Sequence, residues 1–274
     1  MLSPVLSTLR IHPVKSLTAC AADEAAVEPW GLEGDRRWML IDSASRVVTQ
    51  RQQPHMAQLS AELLPGGGLV LSAPGSPSLT VEVPDPAGTV VAELHRSKVT
   101  VVMAADAAHA WFSARLGAEV RLVHLDAPSH RRPVDPRFGR PGETVSFADT
   151  FPLLLTTRAS LDALNSLIAQ GDHPDEGPLP MNRFRPNVVV DGTAPWAEDG
   201  WKRIAIGEVA FRVVKPCGRC VIATTDQRTA ERGKEPLRTL ARHRQDGRHL
   251  VFGRLMTPET TGVIRAGDTV RVLG

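Results

Sequence analysis

The sequence has little cysteine, no long apolar run and almost no net charge, and each shortage excludes a class of protein. Three cysteines in 274 residues cannot build a disulfide framework, and their odd number favours a reducing compartment. No stretch has the length of a signal-peptide core or a membrane span. A net charge of +2 gives no single-sign field that would attract a nucleic acid. We therefore expect a cytoplasmic protein whose partners include neither membrane nor nucleic acid.

Apolar residues make up 42% and charged residues 23% of the chain, the balance of a folded globular protein. The 22 glycines and 22 prolines divide it into short segments, most of which alternate between apolar and polar residues as strands do. We find no repeat of fixed period and no parallel βαβ pattern. The sequence predicts a mainly β sandwich or barrel, with a domain joint in or just before the proline- and arginine-rich residues 126–143.

Three hairpins are predicted where two alternating runs flank a turn, at Asp42–Ser45, at glycines 66–68 and at Gly207–Glu208. Apolar residues at helical spacing predict one helix with Asp106 as its N-cap and Gly117 just beyond its end. They predict a second helix over "RASLDALNSLIAQ" and a short third helix near the C-terminus.

Two of the three cysteines, Cys217 and Cys220, stand in the segment "RVVKPCGRCVIATTD". A closed zinc site needs four ligands, and neither Cys20 nor the scattered histidines provide a second ligand pair. A thioredoxin-like dithiol begins a helix beside a βαβ unit, whereas "VIATTD" lacks the pattern of a helix start. A further interpretation is that both cysteines are small buried apolar residues, although the nearby cations Lys215 and Arg219 favour a thiolate. These residues alone leave open whether the pair is structural or holds a soft metal.

Charged and hydroxyl-bearing side chains stand at several strand ends. They are Lys15 and Ser16 in "PVKS", Asp35 and Arg36 in "GDRRW", Asp149 and Thr150 in "DTF", and Arg183, Arg185 and Asn187 in "RFRPN". Each is most often a solvated loop end when taken alone. Together they offer guanidinium groups for phosphate, and hydroxyl and amide groups for the edges of a ring. A thiolate nearby would add a ligand for a soft metal.

Six separated motifs span nearly the whole chain: "PVKS", "GDRRW" followed by "VVTQRQQP", "RFRPNVVVDG", "KPCGRCVIATTD", "KEPLRTL" and "IRAGDTVRVL". In this order they resemble the MOSC-domain proteins with an N-terminal MOSC-associated β-barrel domain, a group that includes the mitochondrial amidoxime-reducing component. The resemblance implies a mainly β fold with a few helices (α+β) and two β-barrel-like domains. The first would cover residues 1–125, and the second, the MOSC β-barrel with the cysteine ligand, residues 126–274.

The same resemblance implies a molybdenum cofactor (Mo-molybdopterin), with Cys220 as the metal ligand. The residues that match the family's cofactor contacts are Lys15, Ser16, Arg36, Thr150, Arg185, Asn187, Gly218 and Cys220. Asp149 is our candidate for relaying protons, and a turn-capping aspartate is the alternative. Cys217 is expected to be structural. Phe151 and Gly218 depart from the amidoxime reductases, which affects the expected substrate range more than cofactor binding.

The implied activity is an oxidoreductase that reduces N-hydroxylated compounds, namely amidoximes, hydroxylamines and hydroxylated bases. Because no flavin or iron–sulfur motif is visible, electrons would come from a separate donor protein of the ferredoxin, flavodoxin or cytochrome type. The alternatives are a cofactor carrier and a sulfur-transfer protein. Pyridoxal phosphate is also associated with such families, but no lysine here has an aldimine context. We expect neither the membrane anchor nor the ferredoxin domain of some relatives.

Overall fold

The computed structural model describes residues 3–95 and 97–274, and over these ranges it contains twenty β-strands and four α-helices. The predicted mainly β (α+β) fold is therefore confirmed. The strands of the first half are β1 (Val5–Ile11), β2 (Cys20–Ala22), β3 (Glu24–Glu28), β4 (Gly31–Leu32), β5 (Trp38–Ile41), β6 (Val47–Val48), β7 (Ser60–Leu63), β8 (Leu69–Ser72), β9 (Leu79–Val81), β10 (Thr89–Leu94), β11 (Ser97–Met103) and β12 (Arg121–His124).

The strands of the second half are β13 (Leu153–Thr157), β14 (Val188–Asp191), β15 (Arg203–Ile206), β16 (Val209–Gly218), β17 (Gln245–Asp246), β18 (His249–Pro258), β19 (Gly262–Arg265) and β20 (Val270–Val272). The helices are α1 (Asp106–Leu116), α2 (Pro128–Arg131), α3 (Arg158–Ala169) and α4 (Leu237–His243). Each of the three predicted hairpins is present, as the antiparallel pairs β5–β6, β7–β8 and β15–β16.

The largest sheet joins both ends of the chain. Its path runs β2-β1-β14-β13-β18-β16-β15-β20, with β17 paired to β18. The first strand, β1, lies antiparallel to β14, and Val5 is opposite Asp191. The smaller sheets are β10-β11-β12-β5-β6, β19-β3-β4 and β7-β8-β9. The division of the chain into domains at residues 125 and 126 stays a prediction.

One feature of this sheet contradicts the sequence analysis, which finds no βαβ pattern. Strands β13 and β14 are parallel, and the chain passes from one to the other through α3. Thr157 ends β13 and also caps α3, because its hydroxyl accepts a hydrogen bond from the Ser160 N–H at 3.1 Å. A single unit of this kind gives no repeating alternation of strand and helix, so the pattern is not visible along the sequence.

One helix boundary and one turn also differ from the prediction. Helix α1 begins at Asp106, and the N-cap position belongs to Ala105, which forms no side-chain cap. The aspartate instead faces His109 within the first turn, at 3.6 Å. Gly117 ends the helix as predicted, with a φ of 60° in the left-handed region. After Cys220 the chain forms a 3-10 turn over Val221–Thr224, although "VIATTD" was not expected to start a helix.

The buried side chains form several clusters around these sheets. Leu155, Val190, Phe211 and Met256 belong to the cluster of the largest sheet. A second cluster contains Trp38 and the buried face of α1. No helix among the described residues is long and apolar enough to cross a bilayer.

Candidate functional site

A cavity of about 1030 Å³ collects most of the strand-end side chains that the sequence predicts to be functional, whereas Asp35 and Arg183 are buried and do not line it. All nine predicted site residues line it, as does Cys217: Lys15, Ser16, Arg36, Asp149, Thr150, Arg185, Asn187, Gly218 and Cys220. The structure therefore brings together side chains from five separate parts of the chain. Their roles as ligands or catalytic groups stay predictions.

The sheet explains this convergence. Because β13 and β14 are parallel, both strands begin at the same end of the sheet, and the segments that precede them bring Asp149 and Arg185 to that end. Strand β1 is antiparallel to β14, with Leu9 opposite Val188, so β1 finishes at this end of the sheet and the segment that follows it brings Lys15 there as well. Strand β16, whose register against β18 shifts twice, carries Cys217 at its second shift and leads directly to Cys220.

Backbone strain is concentrated around the cavity. Seven non-glycine residues of the described chain have a positive φ, and four of them, Ser16, Arg36, His95 and Arg185, line it. Left-handed backbone is unfavourable for residues with a Cβ and accumulates where a site requires a particular side-chain direction. This distribution favours a functional role for the cavity.

Lys15 and Asp149 form an ion pair on the cavity wall. The Lys15 ammonium donates to the Phe147 carbonyl at 2.8 Å and also to the Asp149 carboxylate. Burial lowers the pKa of Lys15 to about 8, although the charge of Asp149 opposes this shift. Burial would raise the pKa of Asp149, but Lys15 and a hydrogen bond with His95 hold it well below its usual range. The carboxylate is therefore ionised at neutral pH while facing the open cavity.

Arg36 is held by a buried network centred on Asn187. The Asn187 side-chain oxygen accepts from the Arg36 guanidinium at 3.0 Å and from the Leu154 N–H at 3.2 Å. Its amide nitrogen donates to an Asp35 carboxylate oxygen at 3.0 Å and to the Arg10 carbonyl at 3.2 Å. These four bonds use the full hydrogen-bonding capacity of the amide. Asn187, predicted as a cofactor contact, is thus placed to orient Arg36.

Each cysteine of the pair faces an arginine. The Arg51 guanidinium lies 3.4 Å from the Cys220 sulfur, and that of Arg219 lies 3.1 Å from the Cys217 sulfur. Both cysteines are half-buried and free, as is Cys20. No group of three Cys, His, Asp or Glu side chains in residues 3–95 and 97–274 is arranged to hold a metal ion.

Three further cavity residues have no predicted role in the sequence analysis. Arg51, besides facing Cys220, lies 3.8 Å from the Asp149 carboxylate. His95 lies 3.3 Å from the same carboxylate, at the tip of the β10–β11 hairpin. Arg132 stabilises the loop that carries Asp149, because its guanidinium donates to the Ser146 carbonyl at 2.6 Å and to the Asp149 carbonyl at 2.8 Å. Arg51 belongs to the motif "VVTQRQQP", which was a usable signal, whereas nothing near His95 distinguishes it from a hairpin turn.

The Asp149 carboxylate therefore faces the Lys15 ammonium, the Arg51 guanidinium and the His95 ring, and among the described residues it has no backbone N–H partner. That arrangement argues against the alternative of a turn-capping aspartate.

The two positions that depart from the family pattern have simple packing environments. Phe151 is 2% exposed and packs with Val134 and Val145 in a small apolar cluster. At Gly218 a Cβ would lie 3.4 Å from the His249 ring, which is ordinary contact. Neither residue has a polar side chain to offer a ligand.

Comparisons with known proteins agree with this architecture. Residues 3–119 match the family model described as the MOSC N-terminal beta barrel domain, and residues 142–271 match the MOSC domain. Human mitochondrial amidoxime-reducing component 1 is 32% identical over 98% of this chain and 83% of its own length. The chain belongs to this MOSC family. The predicted resemblance is thereby confirmed.

Other relatives of this MOSC protein have two different names. Mitochondrial amidoxime-reducing component 1 of Xenopus laevis is 30% identical over 97% of this chain and 81% of its own length. A molybdenum cofactor sulfurase of Oryza sativa subsp. japonica is 29% identical over 98% of this chain but only 34% of its own length. The MOSC protein thus corresponds to most of the former and to about a third of the latter.

Proposed function

We propose that the protein is a molybdenum-cofactor-dependent oxidoreductase that reduces N-hydroxylated compounds such as amidoximes, hydroxylamines and hydroxylated bases. One observation supports this proposal above the others. The Cys220 sulfur opens into the same cavity as Lys15, Arg36 and Arg185, which come from three distant segments. The names of the amidoxime-reducing relatives supply the reaction class.

The charge of the cavity fits a phosphorylated cofactor. Eight lysine and arginine side chains line it, against three aspartates. Burial lowers the pKa of Arg185 to about 9, and repulsion from the Arg36 guanidinium adds to this shift. A phosphate group would relieve this repulsion through charge-assisted hydrogen bonds. Because no metal site is formed by the described residues alone, a metal here would need ligands from the cofactor besides a protein thiolate.

In this proposal Cys220 would bind molybdenum, and Lys15, Arg36 and Arg185 would bind the phosphate. When bound, the cofactor supplies the two-electron removal of oxygen from an N–O bond. Two electrons and two protons convert an N–OH group into N–H and water, and the electrons come from a separate donor protein. Cys217 would remain a structural neighbour of Arg219.

Asp149 would relay the protons that this reaction consumes. Because Lys15 keeps the carboxylate ionised at neutral pH, Asp149 cannot store a proton. It can hold one only transiently, while passing it between the His95 ring, 3.3 Å away, and the cavity. Arg51 and Lys15 would hold the carboxylate in place during the transfer.

The proposal can be tested with Cys220→Ser expressed in a host that makes the cofactor. We expect its molybdenum and pterin content to fall below about one tenth of wild type, and reduction of benzamidoxime by a reduced dye to disappear. Cys20→Ser is the matched control, because the Cys20 sulfur bonds to the Ala61 carbonyl and does not line the cavity. A Cys220→Ser protein with full molybdenum content and activity would refute the ligand assignment.

The same samples separate the other candidates. A carrier would contain the cofactor and yet fail to oxidise the dye with any N-hydroxylated compound. A sulfur-transfer protein, the possibility raised by the sulfurase relative, would acquire a persulfide on Cys217 or Cys220 that mass spectrometry detects. Turnover of benzamidoxime without a persulfide supports the reductase.

A further inference from the structure

One wall of the cavity combines two phenyl rings with an ammonium group. The rings of Phe138 and Phe151 meet edge to face, with centroids 6.5 Å apart. The Lys215 ammonium lies 4.2 Å from the centroid of Phe138 and 5.6 Å from that of Phe151. We call these three residues the aromatic wall. All three line the same cavity as Cys220.

The aromatic wall presents the ring of Phe138 to the cavity. Phe138 is 40% exposed, whereas Phe151 behind it is buried. The Lys215 ammonium lies over this ring, and the Arg137 guanidinium lies 5.7 Å from its centroid. A second ring can stack on the part of Phe138 that stays exposed, with a gain beyond simple burial. The wall therefore suits a planar aromatic group.

The charge of Lys215 is available to a ligand. Among residues 3–95 and 97–274 its ammonium has no ion-pair partner and no hydrogen bond, only the two ring faces. The carboxylate on the same loop, Asp135, is already paired with Arg137 at 2.6 Å. Hydrogen bonds from Arg137 lower the pKa of Asp135, and the charge of Lys215 helps to lower it. Because that carboxylate is bonded to Arg137, the Lys215 ammonium keeps its hydrogen-bonding capacity for an anion.

The loop that carries Phe138 is held in position. Arg212 donates to the Phe138 carbonyl at 3.1 Å and binds both oxygens of Glu143 at 2.7 Å. A backbone bridge between Pro133 and Thr144 closes the base of the loop. The ring therefore faces the cavity before any ligand arrives, which reduces the entropy lost on binding.

We propose that the aromatic wall selects substrates that are both aromatic and anionic: the ring of an N-hydroxylated aryl compound stacks on Phe138, and a carboxylate or phosphate on that ring pairs with Lys215. This inference rests on the proposed function for the N-hydroxy group and adds the rest of the substrate. N-hydroxylated bases that carry a phosphate, and aryl amidoximes that carry a carboxylate, both have this chemistry.

The test compares benzamidoxime with 4-carboxybenzamidoxime. Binding of each compound to the cofactor-loaded, oxidised protein is measured by calorimetry without an electron donor, so that no turnover occurs. We expect the carboxylated compound to bind roughly five- to tenfold more tightly to wild type, the gain of one charge-assisted contact. Lys215→Gln should remove this preference and Lys215→Arg should keep it. Phe138→Leu should weaken binding of both compounds.

Controls separate this effect from the general positive charge of the cavity. Lys202→Gln removes an exposed lysine outside the cavity and should leave the preference unchanged. The molybdenum content and circular dichroism of each variant show that it is folded and loaded.

Equal binding of the two compounds to wild type would overturn the inference, as would a preference that survives Lys215→Gln or a failure of both compounds to bind. Tight, Lys215-dependent binding without turnover in the dye assay would refute the proposed reductase and leave the aromatic wall established as a binding site.

Discussion

Replacing Asn187 by alanine tests whether the cavity depends on the buried amide that orients Arg36. The side chain is 1% exposed and forms four hydrogen bonds, two as acceptor and two as donor. We expect Asn187→Ala to lower the free energy of unfolding and to reduce cofactor content, because Arg36 loses one of the three partners that hold it at the cavity, the others being Asp35 and the Arg185 carbonyl.

The size of the effect follows from these bonds. A neutral hydrogen bond contributes about 0.5–1.5 kcal/mol, and one to a charged group about 1.5–3 kcal/mol. Two of the four involve charged side chains, those of Arg36 and Asp35. Since water and neighbouring groups replace part of what is lost, we expect a decrease of roughly 3–5 kcal/mol. Asn187→Asp should be no better tolerated, because its carboxylate would face that of Asp35.

Urea denaturation at neutral pH measures the unfolding free energy, and metal analysis of the purified protein measures loading. Asn182→Ala is the matched control: Asn182 lies in the preceding 3-10 turn and is exposed, so its loss should change stability by less than about 0.5 kcal/mol. An Asn187→Ala protein within about 1 kcal/mol of wild type and fully loaded would refute this account.

Three further outcomes are expected. Burial lowers the pKa of Lys15 from 10.5 to about 8. Between pH 8 and pH 10.5 the unfolded chain therefore binds more protons than the folded protein, so the free energy of unfolding increases as the pH rises through this range. Lys15→Met should flatten that increase in urea titrations. Gly253→Ala should destabilise by more than about 3 kcal/mol in thermal unfolding, because its φ is +79° and a Cβ would lie 2.6 Å from the Leu155 carbonyl oxygen. Gly247→Ala, with a φ of +56° and open space, should cost only about 1–2 kcal/mol, and equal losses would contradict the steric argument. Asp149→Asn should keep its molybdenum and lose roughly 100-fold in kcat, and a wild-type kcat would exclude proton relay.

Local sequence predicts the parts of this fold that depend on neighbouring residues. The turn at Gly207–Glu208 follows from the alternation on either side of it, and Gly117 follows from the need for a left-handed residue after α1. The convergence of Lys15, Arg36 and Arg185 was expected from the resemblance of their motifs and not from any pattern within them.

What the sequence does not show depends on contacts between distant segments. His95 reaches Asp149 only because the β10–β11 hairpin extends to the cavity, and no local signal specifies that approach. The parallel pairing of β13 and β14 depends on how thirty intervening residues cross the sheet. An aspartate such as Asp106 is a favourable N-cap, yet the helix has its N-cap one residue earlier, at Ala105. The capping preference of Asp106 therefore does not decide where the helix begins.

The antiparallel pairing of β1 with β14 has a consequence for biosynthesis. Val5 finds its partner, Asp191, only after 186 more residues have been translated, so β1 can pair early with β2 on one side but lacks β14 on the other side during that time. At roughly 5–20 residues per second that delay is about 10–40 s, during which an apolar edge is exposed to chaperones and to other nascent chains. Because the cavity lining runs from Lys15 to Leu255, the cavity is completed late in synthesis, and a ligand can occupy it only after most of the chain has been translated.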